Sequence, residues 1–241
     1  MKHTCLNCNR AIAGDYCARC GQSIRTRKLD NEWMLENLSE VALHLKRNRL
    51  LRTFSMMLFD PGKVVFEYIA GHRITYHPPI NYLVLSALIY KLLSEWILRK
   101  NGWESGRFAD MTSLQLLLSF GTISVAAYIL ILRPKFNIFE TIVAVCYIYG
   151  TVFLIAPIIA FIIQAPFPKL ADNLKPVYRP FLVDGWTILL AIYMAIRITL
   201  RAQASPVRLA IVTILTLLLY YFQEIDLAWW RKLANHFFLP D

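Results

Sequence analysis

Residues 80–98 read INYLVLSALIYKLLSEWIL, and this stretch decides the fold. In an α-helix these 19 residues rise about 28 Å, close to the ~30 Å hydrocarbon thickness of a bilayer. Pro78 and Pro79 stand at the first helical turn, where proline removes no intrahelical hydrogen bond. The stretch therefore predicts a helix that enters a membrane at Ile80.

The composition favours a bilayer as the solvent of most of the chain. Of the 241 residues, 57% are hydrophobic, which exceeds the usual range of soluble domains. Apolar runs of spanning length recur after residue 80, and none precedes it. The first span is followed by four more predicted spans, at Leu114–Leu132, Ile138–Ile163, Phe181–Leu200 and Val207–Phe222. The predicted fold is an all-α polytopic membrane protein with about five transmembrane helices.

The cysteines of the N-terminal segment form two C-x2-C pairs separated by eight residues: Cys5, Cys8, Cys17 and Cys20. Two such pairs brought together by a hairpin give the tetrahedral thiolate set of a structural zinc site. Disulfides or a redox pair are the alternatives, but the segment lacks a βαβ pattern and a cytosolic location would be reducing. With all four positions filled, the expected Zn²⁺ is structural, and the segment is predicted to be a small zinc-ribbon head.

The chain divides into four predicted regions. They are a zinc ribbon at 1–24, a basic linker with amphipathic surface helices at 25–79, a transmembrane helical domain at 80–222, and an interfacial tail at 223–241. Residues 1–10 carry charges and cysteines where a signal peptide needs an apolar core. The N-terminus is therefore expected in the cytoplasm.

The formal charge of +10 points to an anionic partner, and the position of the charges favours lipid. Basic residues flank the predicted spans, as in the cluster Lys46, Arg47, Arg49 and Arg52. Juxtamembrane cations are retained on the cytoplasmic side and attract anionic headgroups. The expected partners are thus the lipid bilayer and its anionic headgroups, whereas nucleic acid is disfavoured.

The number of spans is not settled by the charges. With five spans and a cytoplasmic N-terminus, the outer loops hold more Lys and Arg than the inner loops, against the positive-inside rule. Four spans, with residues 80–98 re-entrant or interfacial, satisfy the rule. Five are preferred because the first helix usually sets the orientation.

The region before the spans is predicted to be helical from Asn31 to Phe59. This helix either lies on the membrane surface, with Trp33 as an interfacial anchor, or packs on the membrane domain from the cytosolic side. Asp60-Pro61-Gly62 ends it, and a short helix resumes over Lys63–Ala70 with Gly71 as its C-terminal cap.

The residues up to the first span carry a family resemblance. It rests on both cysteine pairs and on the residues Tyr16, Gly21, Gln22, Arg52, Thr53, Pro61, Gly62, Tyr68, Ile69, Gly71, Arg73, Tyr76 and Pro79. The chain resembles a family of bacterial inner-membrane proteins known as domain of unknown function 3667. The resemblance implies a zinc-ribbon head on a multi-span domain of the cell inner membrane, and it implies no established activity.

Ionisable residues inside the predicted spans suggest a possible polar site. Lys91 and Glu95 stand one helical turn apart, and Glu140 begins the third span. A proton or ion path through Lys91, Glu95 and Glu140 is one interpretation. The favoured alternative is that Lys91 and Glu95 neutralise each other while Glu140 reaches the interface. His72 and His77 are further candidates for contact with a lipid headgroup.

No catalytic or cofactor-binding motif is found in the sequence, so no enzyme activity is expected and no catalytic residue is assigned. The leading functional hypothesis is a membrane-anchored scaffold whose zinc ribbon docks a protein partner. The alternative is a transporter or lipid-handling protein that uses the polar residues within the helix bundle.

Overall fold

The computed structural model describes residues 3–24, 29, 32–33, 47–101, 136–164, 178–203 and 207. The basic stretch 25–28, the span predicted at Leu114–Leu132, the tail at 223–241 and all but the first residue of the span predicted at Val207–Phe222 lie outside these residues.

Two short strands precede five helices in the described part of the chain. They are β1 His3–Thr4, β2 Ala11–Ile12, α1 Arg47–Phe59, α2 Pro61–Ile69, α3 Pro79–Asn101, α4 Ile138–Gln164 and α5 Tyr178–Arg201. The described chain is therefore mostly helical, as predicted. Three of the predicted spans coincide with α3, α4 and α5 to within a few residues.

Helices α3 and α4 pack side by side and run in the same direction. Early in α3, the Tyr82 ring lies against Gly150 and its hydroxyl is 3.0 Å from Oγ1 of Thr151. Two turns later, the rings of Tyr90 and Phe153 are 5.5 Å apart. Because the contact positions advance in the same direction along both helices, the two helices are parallel.

Helix α4 contacts all four other helices and forms the centre of the bundle. Met194 and Ile198, late in α5, share a buried core with Val143 and Ala144, early in α4. Helix α5 is therefore antiparallel to α4. Helices α1 and α2 pack at the end of the bundle where α3 and α4 begin and α5 ends.

The break between α1 and α2 follows from Asp60-Pro61-Gly62. Asp60 caps α2, since its Oδ1 accepts from the backbone N–H of Lys63 at 3.1 Å, and Pro61 occupies the first turn. The second helix thus begins at Pro61, two residues before the predicted start. It ends at Ile69, and Gly71 terminates it as predicted: with φ of +107°, Gly71 donates to the Tyr68 carbonyl while His72 donates to that of Glu67. This is the Schellman arrangement, which favours glycine.

Helix α1 packs on the bundle through Thr53 and Met57, both fully buried, and contacts α2 and α4. For residues 47–59 this favours the packed alternative over a helix lying free on a membrane surface. Of the two alternatives, the one in which Trp33 is an interfacial anchor is not supported. Its indole is 4% exposed because it packs edge-on against Tyr68, 6.4 Å between ring centroids, with the Arg73 guanidinium 5.7 Å from the indole centroid.

One segment among the described helices has both the length and the apolar composition needed to cross a membrane. It is Ile138–Ile159, 22 residues with a mean hydropathy of 2.4. Because α4 is the central helix and most of this segment is buried, the same numbers would suit the core helix of a soluble protein. By itself the segment is weak evidence for membrane association.

Candidate metal centre

The first cysteine pair lies at a turn fixed by backbone hydrogen bonds. Strands β1 and β2 pair antiparallel, with His3 opposite Ile12. Beside them, the N–H of Cys5 donates to the Arg10 carbonyl and the N–H of Asn9 donates to the Cys5 carbonyl, each at 2.8 Å. Asn9 adopts φ of +57°, which lets the chain turn back around the sulfurs.

The second pair repeats this geometry twelve residues later. The N–H of Cys17 donates to the Gln22 carbonyl at 2.9 Å, and the N–H of Gly21 donates to the Cys17 carbonyl at 2.8 Å. Gly21, with φ of +75°, holds the place that Asn9 holds in the first turn. Sequence reasoning singled out Gly21 but missed Asn9, although asparagine is the residue after glycine that best tolerates this conformation.

The four sulfurs converge on one point, since all lie within 4.8 Å of one another. Cys5 and Cys20, and likewise Cys8 and Cys17, are 3.5 Å apart between Sγ atoms. This exceeds the ~2.05 Å of a disulfide, and all four cysteines are free. Four thiolates around a tetrahedral Zn²⁺ at about 2.3 Å would be separated by roughly 3.8 Å, so the donor set fits a metal ion that has no open coordination position.

The local electrostatics act in opposite directions on the two facing thiols of Cys8 and Cys17. The backbone N–H of Arg10 lowers the pKa of Cys8, but burial and the neighbouring sulfurs outweigh it and raise this pKa to about 11. The backbone N–H groups of Cys20 and Arg19 stabilise the negative sulfur of Cys17 and lower the pKa of this thiol to about 6. Cys5 and Cys17 are buried, whereas Cys8 and Cys20 are half-buried. The four cysteines are therefore close enough together to hold a metal ion.

The metal centre is attached to the helical body through the loop between α2 and α3. The side chain of Gln22 donates from Nε2 to the Gly71 carbonyl at 2.7 Å, and Thr75 donates from Oγ1 to Oδ1 of Asn7 at 2.9 Å. Leu6 packs on Gly71, where an added Cβ would lie 2.9 Å from Leu6 Cδ1. No periodicity in the sequence signals these contacts, which join residues up to 68 positions apart.

The other predicted polar site does not form as one cluster. Glu140 closes a capping box at the start of α4, since its Oε2 accepts from the N–H of Asn137 while its own N–H donates to Oδ1 of Asn137, both at 2.8 Å. Lys91 and Glu95 are exposed on α3, and within the described residues they form no ion pair with each other. Tyr90, the neighbour of Lys91, packs beside Phe153, which follows Glu140 by more than three helical turns in α4. Lys91 and Glu95 therefore lie roughly 20 Å from Glu140 along the axis of α4.

The candidate headgroup contacts at His72 and His77 are half-buried and buried, respectively. His77 is held through its backbone: its N–H donates to Oγ1 of Thr53 at 2.8 Å, and its carbonyl accepts from the Tyr147 hydroxyl at 2.7 Å. Burial lowers the pKa of the His77 imidazole, with Arg49 adding to the effect. A neutral, buried imidazole is unsuited to an anionic headgroup, so the role of His77 is to join α1, α3 and α4.

These features define a class of protein: mostly helical, with a four-cysteine head that could hold a metal ion at one end of its helix bundle. Residues 47–90 match the model of the family described as Protein of unknown function (DUF3667). This match confirms the predicted family resemblance over α1, α2, the following loop and the first half of α3. Comparisons with curated proteins and with solved structures gave no match.

Proposed function

We propose that this chain is a multi-pass protein of the cell inner membrane, with about five spans, whose cytoplasmic zinc ribbon docks a protein partner. The observation that carries the proposal is the placement of the four-cysteine head at one end of a bundle whose outer faces are apolar.

The long helices expose large apolar side chains in rows. On α3 these recur every fourth residue and are 41% to 62% exposed: Val84, Leu88, Leu92 and Trp96. Trp186 and Leu189 are similarly exposed on α5. Contiguous apolar surface of this extent is rare on soluble monomers and is expected against lipid. Trp96 and Trp186 both lie near the end of the bundle away from the head, as expected of an interfacial aromatic belt.

The parallel packing of α3 and α4 supports five spans over four. In a chain that crosses a membrane repeatedly, the first and third spans point the same way and the fourth points the opposite way. Helices α3, α4 and α5 have these directions. The 23 residues of α3 also rise about 34 Å without a break, which is long enough to span and does not suit a re-entrant segment.

The cations at the head end support a cytoplasmic head. Lys63, Arg197 and Arg201 are exposed or partly exposed where α2 meets α5, and Arg52 is exposed on α1. Positive charge is retained on the cytoplasmic side, and anionic lipid attracts each cation near the surface by about 1 kcal/mol.

The donor set of the head supports zinc as the bound metal. Four thiolates without an open position suit Zn²⁺, which would fix residues 3–24 into a rigid module. The head has only a few buried apolar side chains, chiefly Ile12, so its fold depends on the metal. Tyr16, 67% exposed, offers the kind of aromatic anchor on which protein partners dock.

Three measurements test the proposal. A fusion of alkaline phosphatase to the C-terminus should be active and a fusion of green fluorescent protein should not fluoresce, because five spans place that end outside. The reverse result would indicate four spans.

The detergent-purified chain should contain one zinc per chain. The zinc should be lost in Cys5→Ser/Cys8→Ser and kept in Cys146→Ala, which alters a buried cysteine outside the cluster. Partners captured by wild type should be lost with Cys5→Ser/Cys8→Ser and Tyr16→Ser but kept with Cys146→Ala.

The transporter alternative has less support. Its candidate site required Lys91, Glu95 and Glu140 to line one cavity, but the capping role of Glu140 and its distance from the other two argue against a shared site. Unchanged transport or lipid uptake in Glu95→Gln and Glu140→Gln would count against it further.

A further inference from the structure

The head and the helical body meet at one small surface. On the body it consists of the loop from Gly71 to Thr75, and on the head it consists of Leu6, Asn7 and Gln22. The Gln22 amide is 3% exposed and bonded to the Gly71 carbonyl, so the contact is closed to water at its centre. Gly71 itself is buried, and the Leu6 side chain lies directly on it.

Every head residue in this contact is held in place by the metal-binding turns. Leu6 and Asn7 are the two residues between Cys5 and Cys8. Gln22 closes the second turn, since its carbonyl accepts from the N–H of Cys17. Because the head has so small an apolar core, it loses its fold when the cysteines release their metal. The whole contact surface is then lost at once.

The loop on the other side of the contact joins the helices of the bundle. Just after Thr75, the Tyr76 hydroxyl donates to Oε2 of Glu67 at 2.6 Å, which holds the loop to α2. The next residue, His77, is bonded through its backbone to Thr53 of α1 and Tyr147 of α4. A change in the loop therefore acts on the start of α3 and on its neighbours.

We propose that the head is a metal-dependent latch: it closes on the loop 71–75 only when the four cysteines hold a metal ion, and it opens when the metal is lost. In the closed state the side chains of Asn7 and Gln22 are bonded to the body and are not available to a partner, whereas Leu6 packs on Gly71 and stays 49% exposed. A partner of the closed head must use residues outside this contact, such as the exposed Tyr16. The inference rests on the metal-binding part of the proposed function, and it is independent of the docking part.

Hydrogen exchange of the full chain in detergent tests the latch. The amides of Gly71, His72 and Arg73 are bonded to the carbonyls of Tyr68, Glu67 and Gly71, and Gln22 and Leu6 of the head cover the same turn, so the bound head should add to their protection. Chelation of the zinc should speed their exchange by at least about fivefold, and re-addition of zinc should restore it. Gln22→Leu should have the same effect with zinc still bound at one per chain, since removal of one buried hydrogen bond corresponds to about a fivefold to 100-fold change in an equilibrium constant.

Tyr16→Ser is the matched control, because it alters an exposed head residue outside the contact. It should leave the exchange of residues 71–73 unchanged, whatever its effect on partner capture. Equal exchange in the zinc-bound and zinc-free protein would overturn the latch, as would normal protection in Gln22→Leu. If the purified chain binds no metal, the metal assignment fails as well, so the stoichiometry distinguishes failure of the latch from failure of the proposed metal site.

Discussion

Arg201, the last residue of α5, reaches back across 141 positions to Asp60, with its Nη1 at 3.0 Å from Oδ2 of the carboxylate. The other oxygen of Asp60 caps α2. One side chain therefore both starts α2 and ties it to α5. This relationship explains why the turn at Asp60-Pro61-Gly62 is more than a break in a helix.

Substitutions at Asp60 should separate these two roles. Asp60→Asn keeps an N-cap and loses the charge, so we expect it to destabilise the fold by less than about 1 kcal/mol. We expect the same of Arg201→Met, which removes only the ion pair. Asp60→Ala loses the cap as well and should destabilise by about 1 to 2 kcal/mol. Thermal unfolding in detergent measures these differences. Equal effects of Asp60→Asn and Asp60→Ala would contradict the capping role.

Gly150 should be intolerant of any side chain. An added Cβ would lie 2.5 Å from the ring of Tyr82, which is fully buried between α3 and α4. Helix propensity alone would make Gly150→Ala stabilising by up to about 1 kcal/mol, but the overlap should reverse the sign and destabilise by about 1 to 3 kcal/mol. Gly14→Ala is the control, since open space surrounds that position. A raised melting temperature for Gly150→Ala would show that α3 and α4 are not packed this closely.

The hydroxyl of Tyr147 should matter more than that of Tyr193. Tyr147 donates to the buried His77 carbonyl at 2.7 Å, whereas Tyr193 donates to the Phe59 carbonyl at 3.2 Å in an exposed position. We expect Tyr147→Phe to destabilise by about 1 to 3 kcal/mol, because it leaves a buried carbonyl without its donor. Tyr193→Phe should stay within about 0.5 kcal/mol, since water replaces the lost hydroxyl. Similar melting temperatures for the two variants would contradict the role given to His77.

Metal occupancy should fall on acidification. The pKa of Cys17 is lowered from 9.0 to about 6 in the folded head by the N–H groups of Cys20 and Arg19. A lowered acid pKa contributes stability that is present in full above the unfolded value, near 9, and is lost as the pH falls through about 6. Protons compete with the metal for all four sulfurs, and a bound Zn²⁺ lowers the pKa of each coordinating thiol further, so zinc release to a chromogenic chelator should increase on acidification, at a pH below the value for the Cys17 thiol alone. Zinc retention that does not change with pH would contradict the assignment.

The features that the sequence predicts are those that depend on residues only a few positions apart. The two C-x2-C pairs identify the sulfurs that converge, and Gly71 identifies the end of α2, because in both cases the chemistry lies within a few residues. The capping box at Asn137 and Glu140 has the same local character, and its N-x-x-E spacing ahead of an apolar run was available as a signal. Neither interpretation of Glu140, as part of an ion path or as a side chain that reaches the interface, included this capping role.

The features that the sequence does not predict depend on contacts between distant residues. Trp33 is a residue type that often anchors helices at a membrane interface, but here its indole packs against Tyr68 and the Arg73 guanidinium. Likewise, the helical spacing of Lys91 and Glu95 permits a salt bridge, but the exposed side chains gain too little from pairing to require one. The docking of Gln22 on Gly71 depends on the three-dimensional course of the whole head.

The contact of Tyr82 with Thr151 has a consequence for biosynthesis. The two residues are 69 positions apart, so at about 5 to 20 residues per second the ribosome needs roughly 3 to 14 s to deliver the second after the first. During that interval the Tyr82 side chain has no partner helix to pack against. The N-terminal head, which carries the four cysteines, has already left the ribosome and can bind a metal ion. Assembly of the nascent chain thus begins at the head, continues with the pairing of Tyr82 and Thr151, and is completed later still, when Arg201 can reach Asp60.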